Sequence, residues 1–181
     1  MDADLKKAIV RMPQGEKDKL LLRLVAKDDI LVERLMYELV EHKETLDVRR
    51  EVIKSAINRL SKSAYDWPGW AMMDMRSLSG DITRHVKVTK DAYGEVDLQL
   101  HMLNSYFDEQ TDLLRFYNSR SDKTAEYIAK RTEQLLKKLN KLNPDYYIDF
   151  ERSVNRLLER VHAFCPAPYA RQLLLPHEWV Y

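Results

Sequence analysis

Residues 91–117 read DAYGEVDLQLHMLNSYFDEQTDLLRFY, and this stretch decides the fold class. Val96, Leu100, Leu103, Phe107, Leu114 and Tyr117 recur at threes, fours and a seven, which is one stripe of a helix. Leu98, Met102, Tyr106, Leu113 and Phe116 make a second stripe, offset around the same axis. A helix with one apolar stripe covers a core; one with two is sandwiched between neighbours. The spacing therefore predicts a central helix over 91–117. Its third face is polar, with Asp97, His101, Asn104, Asp108, Asp112 and Arg115. Between Asp91 and Leu114 there are six acids and no Lys or Arg. The flanks are basic, with Arg76, Arg84, Lys87 and Lys90 before and Arg115, Arg120, Lys123, Lys130 and Lys137 after. We expect an acidic helix paired with bases from the helices on either side of it in the chain.

The rest of the chain agrees with an all-α class. Its 181 residues suit a single domain, and 45% hydrophobic content suffices for a core without disulfide staples. Only four glycines occur, where average usage gives roughly a dozen. No Asn-Gly or Asp-Gly pair marks a hairpin. Net charge is +1, so no global field announces nucleic acid. Cys165 is the only cysteine, which excludes an internal disulfide and a cysteine-based zinc site and suits a reducing compartment. The start is acidic, and no run approaches the roughly 18 apolar residues of a membrane span. The expectation is a cytoplasmic protein without membrane contact.

About eight helices follow from the periodicity. The first covers 2–12, with Leu5, Ala8, Ile9 and Met12 inward; the second, Glu16 to Ala26, carries Leu20, Leu21, Leu24 and Val25. The third, reaching about Glu41, has Val32, Leu35, Met36, Leu39 and Val40, with an Asp of the preceding joint as N-cap. The fourth runs from Leu46 to about Ala64. Trp67-Pro68-Gly69-Trp70 is the clearest break, since Pro68 forces the preceding residue out of the helical region. The fifth helix continues to about Thr89, and Gly80 inside it implies a kink or a close neighbouring backbone. After the central helix, seams at Ile128, Thr132, Leu135, Leu139, Leu142 and at Tyr147, Phe150, Val154, Leu157, Val161, Phe164 define an antiparallel hairpin. Asn143-Pro144 restarts the chain between them, with Asn as cap and Pro at the first helical position.

Residues 1–165 thus read as one helical domain, and 166–181 as an apolar tail. Short joints between antiparallel helices allow a closed bundle or stacked hairpins in an irregular α–α superhelix, and the two-faced central helix favours the stack. The tail carries Leu173, Leu174, Leu175, Trp179, Val180 and Tyr181. Burying a Leu side chain contributes about 1.5–3 kcal/mol, enough for three docked residues to offset much of the ordering cost. We expect the tail to be packed, either on its own helices or across a homodimer.

The opening Asp4-Leu5-Lys6-Lys7-Ala8-Ile9 and the later Glu16-Lys17-Asp18-Lys19-Leu20-Leu21-Leu22 resemble small bacterial all-helical proteins. The resemblance covers the first quarter of the chain. It implies a HEAT- or armadillo-like α–α superhelix and carries over no functional residue.

Three constellations bear on function. Asp97 and His101 lie one turn apart and can share a metal ion if other helices add ligands, His85 and His42 being conceivable partners; a solvated polar pair is the simpler reading. No nucleophile elbow, phosphate loop or dinucleotide fingerprint occurs, and no cofactor is implied. Basic residues cluster as Arg49, Arg50, Lys54, Arg59, Lys62 and as Lys130, Arg131, Lys137, Lys138, Lys141. If both fall on one outer ridge they could track phosphates, but both lack aromatic interleaving, and a solubilising helix surface explains them more simply. The aromatic anchors for a protein partner are Tyr65, Trp67, Trp70, Trp179 and Tyr181, with Leu174 of the tail. Trp67 and Trp70 read most simply as a plug between helix layers. The leading expectation is a non-enzymatic helical scaffold for protein–protein interaction. The alternatives are a nucleic-acid binder on the basic faces and a metal-dependent enzyme on the central helix.

Overall fold

The computed structural model describes all 181 residues and is entirely helical, without strands. Ten α-helices are present: α1 (Ala3–Arg11), α2 (Gln14–Val25), α3 (Asp29–Leu35), α4 (Leu46–Ser61), α5 (Pro68–Thr89), α6 (Ala92–Glu109), α7 (Thr111–Leu114), α8 (Asp122–Leu139), α9 (Tyr147–Ala163) and α10 (Ala167–Gln172). A π-helical turn, Met36–Val40, extends α3, and a 3₁₀ turn, Pro144–Tyr146, leads into α9. No helix is long and apolar enough to cross a membrane.

The chain divides into two compact units. The smaller comprises Met1–Thr45 with Lys87–Thr89, the larger Leu46–Val86 with Lys90–Tyr181.

In the smaller unit the caps follow local chemistry. The Asp2 carboxylate accepts from the N–H groups of Asp4 and Leu5, and that of Asp28 from Ile30 and Leu31. Each satisfies two of the donors that a helix start leaves orphaned. The π turn closes through Glu41 N–H to the Met36 carbonyl, and His42 and Lys43 then reverse the chain with positive φ. None of α1, α2 and α3 buries a residue completely. The expected inward stripes are only partly covered here: Leu5, Leu21, Leu24, Val32, Met36, Leu39 and Val40 are exposed, whereas Ile9, Met12, Leu20, Val25 and Leu35 are half-buried. Amphipathic spacing sets which face is apolar, not whether anything covers it.

The larger unit holds the core. Val96, Leu98, Leu100, Met102, Leu103, Tyr106 and Phe107 are all buried, so both stripes of α6 are covered. Neighbours come from α4, α8 and α9. The seam of α8 (Ile128, Thr132, Leu135, Leu139) packs with that of α9 (Phe150, Val154, Leu157, Val161) in the expected hairpin. Asn143 caps the turn between them, its side chain accepting from Asp145 N–H.

Two expectations are corrected. The central helix does not run to Tyr117 but breaks at Gln110 (φ −115°, ψ 34°). There the Gln110 amide donates to the carbonyls of Ser61 and Ser63, at 2.6 and 2.9 Å. It thus satisfies backbone acceptors at the end of α4, and beyond the break Phe116 and Tyr117 turn outward, 69% and 49% exposed. Gly80 lies within an unbroken α5, and a Cβ there would meet open space, so no backbone approaches it.

The tail folds over the larger unit. α10 packs on α8 and α9, and Leu175 and Trp179 are buried. Asn155 grips the Trp179 main chain on both sides, its Oδ1 accepting from the N–H at 2.7 Å and its Nδ2 donating to the carbonyl at 3.3 Å. Leu174 is 87% exposed with positive φ, and Tyr181 is half exposed against the Tyr147 ring.

Candidate functional site

Among the acids of α6, Glu95 finds its base on α8, one of the flanking helices expected to supply it, whereas Asp97 and Asp108 find theirs on α4 and α9, a correction to that expectation. Arg50 of α4 binds Asp91 with two hydrogen bonds of 2.6 Å. His85 Nε2 lies 3.1 Å from the same carboxylate, and Gly94 N–H donates to it at 2.8 Å. Burial alone would raise the Asp91 carboxyl; the His85, Arg50 and Gly94 hydrogen bonds outweigh it and hold it well below the usual carboxylate range. Lys54 pairs with Asp97 at 2.8 Å, Lys138 with Glu95, and Arg156 and Arg160 of α9 both with Asp108. Arg160 also donates to the Asn104 carbonyl at 3.1 Å.

The metal candidates are thereby occupied with other partners. Asp97 answers Lys54, and His101 Nε2 lies 2.7 Å from Asn58 Oδ1. Burial and the adjacent Lys54 push His101 below its ordinary range, toward the neutral ring. No group of three or more His, Cys, Asp or Glu is arranged to hold a metal ion. The polar face of α6 does line an open groove against α9, from Asp97 and His101 to Asp108 and Arg156. Cys165 is buried, its N–H donates to the Leu114 carbonyl, and burial pushes its thiol up to about 12.

Of the proposed phosphate-tracking bases, Arg50, Lys54 and Lys138 are in the ion pairs above and Lys137 pairs with Glu133. Arg49 is half-buried on α4. Lys141 lines a shallow crevice with Arg50, Lys90 and Tyr93. These six residues form no single ridge of free cations.

A different set of bases does converge. An open groove of about 870 Å³ runs between α5 and α8, and it is lined by Arg76, Lys123, Lys130 and Arg131 against one acid, Glu126. Helical spacing brings Lys123, Tyr127, Lys130 and Arg131 onto one face of α8. Tyr127 reaches across to α5, its hydroxyl 2.9 Å from Ser79 Oγ and 3.1 Å from the Met75 carbonyl. Arg76 from α5 and Arg131 from α8 each set a guanidinium 5.4 Å from the centre of the Tyr127 ring. Lys130 answers Glu126 at 2.6 Å, whereas Arg76, Lys123 and Arg131 form no ion pair.

Above this groove the start of α5 leaves large side chains in solvent. Trp67 is 44% exposed, Trp70 58% and Met73 55%. The two tryptophans do not plug a joint between layers. That position is taken by Tyr65, whose hydroxyl lies 2.6 Å from Asp74 and 3.3 Å from the Tyr106 hydroxyl. Trp67 instead carries the Arg120 guanidinium over its ring at 4.2 Å. Trp179 is spent on the tail seat, and its indole N–H donates to Asn140 Oδ1. Among the sequence anchors, Trp67 and Trp70 therefore lie at this face, while Leu174, Trp179 and Tyr181 belong to the tail.

Sequence reasoning missed Arg76, Met73 and Tyr127. The Lys123–Tyr127–Arg131 spacing, four and four, was available as a signal of aromatic interleaving in the second basic cluster. Arg76 lies some fifty residues away, and only the tertiary fold brings it to that ring.

No protein-family model, no curated protein and no solved structure matches this chain.

Proposed function

We propose that the chain is a non-enzymatic binding protein that engages a partner protein through the face formed by α5 and α8. One observation carries this reading: Met73, more than half exposed, shares the groove with Arg76 and Arg131, which have no carboxylate partner, and the exposed Trp70 lies one helical turn before it on α5. Trp, Tyr, Arg and Met are the residue types that concentrate binding energy at protein interfaces. An exposed Trp beside a Met is also an apolar surface that a folded chain gains by covering.

The uncompensated cations favour a second reading, a single-stranded nucleic acid. Such binders stack bases on open aromatic faces. Here Arg120 lies over the Trp67 ring, two arginines attend Tyr127, and Trp70 is not part of the groove lining, so the groove offers no open aromatic platform.

A photoreactive amino acid at position 70, introduced in the producing cell, tests the partner-protein reading. The expected result is a discrete cross-linked protein that disappears with Met73→Glu and does not form when the probe sits at the exposed Lys62. Equal cross-linking from positions 62 and 70 would overturn it.

A further inference from the structure

The partner reading leaves open what the groove recognises, and its charge and shape narrow the answer. We propose that the α5–α8 groove seats an acidic amphipathic helix of a partner protein, with carboxylates on Arg76 and Arg131 and apolar side chains on Met73 and Trp70. The inference rests on the binding-protein reading above and adds its ligand chemistry.

Charge comes first. Four cations face one carboxylate in the groove, and that carboxylate is already engaged by Lys130. Elsewhere in the larger unit Arg50, Lys54, Lys137, Lys138, Arg156 and Arg160 each hold an acid, whereas Arg59, Lys62, Arg115 and Arg120 do not. The groove differs in gathering four cations on one lining. Arg76 and Arg131 each lie 5.4 Å from one ring centre, so their charges are at most 10.8 Å apart. Tyr127 is itself pinned by Ser79 and the Met75 carbonyl, which fixes the platform between them. Two like charges converging on one ring without a counter-anion are relieved by incoming anions. Carboxylates one helical turn apart, roughly 5–6 Å, fall within that upper limit.

Shape comes second. The lining spans residues 72–76 of α5 and 123–134 of α8, so the groove is about 15 Å long on the α8 side, or about ten residues of helix. Its apolar part is methionine, Met72 and Met73, which adapts to the side chains of an amphipathic helix. A base needs a flat open face instead, and the two ring faces nearest the cations are attended by arginine.

Isothermal titration calorimetry on the full chain tests this with three probes. The first is a capped peptide of about ten residues with Leu at helical spacing on one face and Glu on the others. The second replaces every Glu with Gln, and the third is a single-stranded oligouridylate of similar length. The acidic peptide is expected to bind wild type at low salt at least about tenfold more tightly than the Gln peptide or the oligonucleotide. Arg76→Gln with Arg131→Gln should weaken it by at least about tenfold, whereas Lys137→Gln, outside the groove, should leave it unchanged. If the double variant melts early, Lys123→Gln, on an exposed side chain, serves in its place with a several-fold loss. Equal affinity for the Gln peptide, tighter binding of oligouridylate, no binding of the acidic peptide, or loss with Lys137→Gln each overturns the inference. A partner that cross-links at position 70 but ignores Arg76 and Arg131 sinks the acidic ligand and keeps the binding protein. Acidic-peptide binding without any cross-linked partner does the reverse.

Discussion

The indole N–H of Trp179 donates to Asn140 Oδ1 at 3.0 Å, joining the third residue from the chain end to the C-cap of α8. With the Asn155 bonds to the Trp179 backbone and the edge contact of its ring on Tyr147, Trp179 is held at three points. A buried Trp replaced by Ala typically costs about 3–5 kcal/mol. Trp179→Ala is expected near the lower end, about 3 kcal/mol, because a terminal segment can undock without unfolding the rest. Urea unfolding checks this, and a loss below about 0.5 kcal/mol would show the tail to be energetically idle. Deleting 172–181 should lower the melting temperature without changing the oligomeric state.

Two glycines should respond in opposite directions. Gly80 is exposed in an unbroken helix, and a Cβ there meets nothing within 4 Å. Gly80→Ala should stabilise the chain by up to about 1 kcal/mol. At Gly94 a Cβ would overlap the Asp91 carboxylate and come within 2.7 Å of Arg50 Nε. Gly94→Ala should therefore destabilise by about 3 kcal/mol, since the buried pair must open to admit it. Thermal melts of the two variants read both signs, and a stabilised Gly94→Ala would remove the argument.

Acid sensitivity should trace to Asp91. Its carboxyl is held below its unfolded value, so its stabilising contribution is fully present above about pH 4 and is lost as pH falls through the folded value. In the wild type, stability should fall steeply below about pH 4. Asp91→Asn should be less stable at neutral pH, leaving Arg50 without its bidentate partner, and should show a shallower slope below pH 4. Denaturant titrations at several pH values measure this; parallel curves for the two proteins would refute it.

Asp108 sits between Arg156 and Arg160 and is 38% exposed. Solvent screening keeps such pairs modest, so Asp108→Asn should cost about 0.5–1 kcal/mol. Asp108→Lys places a third cation in the cluster and should cost about twice that. High salt should shrink the difference between the two variants, because like-charge repulsion at this exposure is screened within a Debye length. A salt-independent gap would point to packing instead.

Residues 96–107 show what a linear sequence carries well. Two stripes at helical spacing meant two buried faces, and both are buried. The break at Gln110 was invisible because no Gly or Pro marks it; at the break the Gln110 amide caps the end of α4, some fifty residues away in the chain. Charge signs were legible and partners only in part: Glu95 met Lys138 on α8 as expected, but Asp108 met α9 and Asp97 met α4, neighbours set by packing rather than by order along the chain. The same limit hid the groove. Tyr127 and its flanking bases share one helix and could be seen, whereas Arg76 and Met73 arrive on another. In the smaller unit, spacing identified the apolar faces of α1 to α3 but not how little of them is covered: Ile9, Leu20 and Leu35 are half-buried while Leu5, Leu21 and Val32 are exposed.

The three tryptophans are distributed so that the molecule carries its own optical reporters. Trp179 is sealed at the tail seat, so its emission should be blue-shifted and protected from iodide. Trp67 and Trp70 stand in water beside the groove, so they should emit further to the red and quench readily. A ligand laid along α5 changes the second component alone, and a detached tail changes the first alone. Unlabelled protein in a cuvette can therefore separate occupancy of one face from release of the chain end.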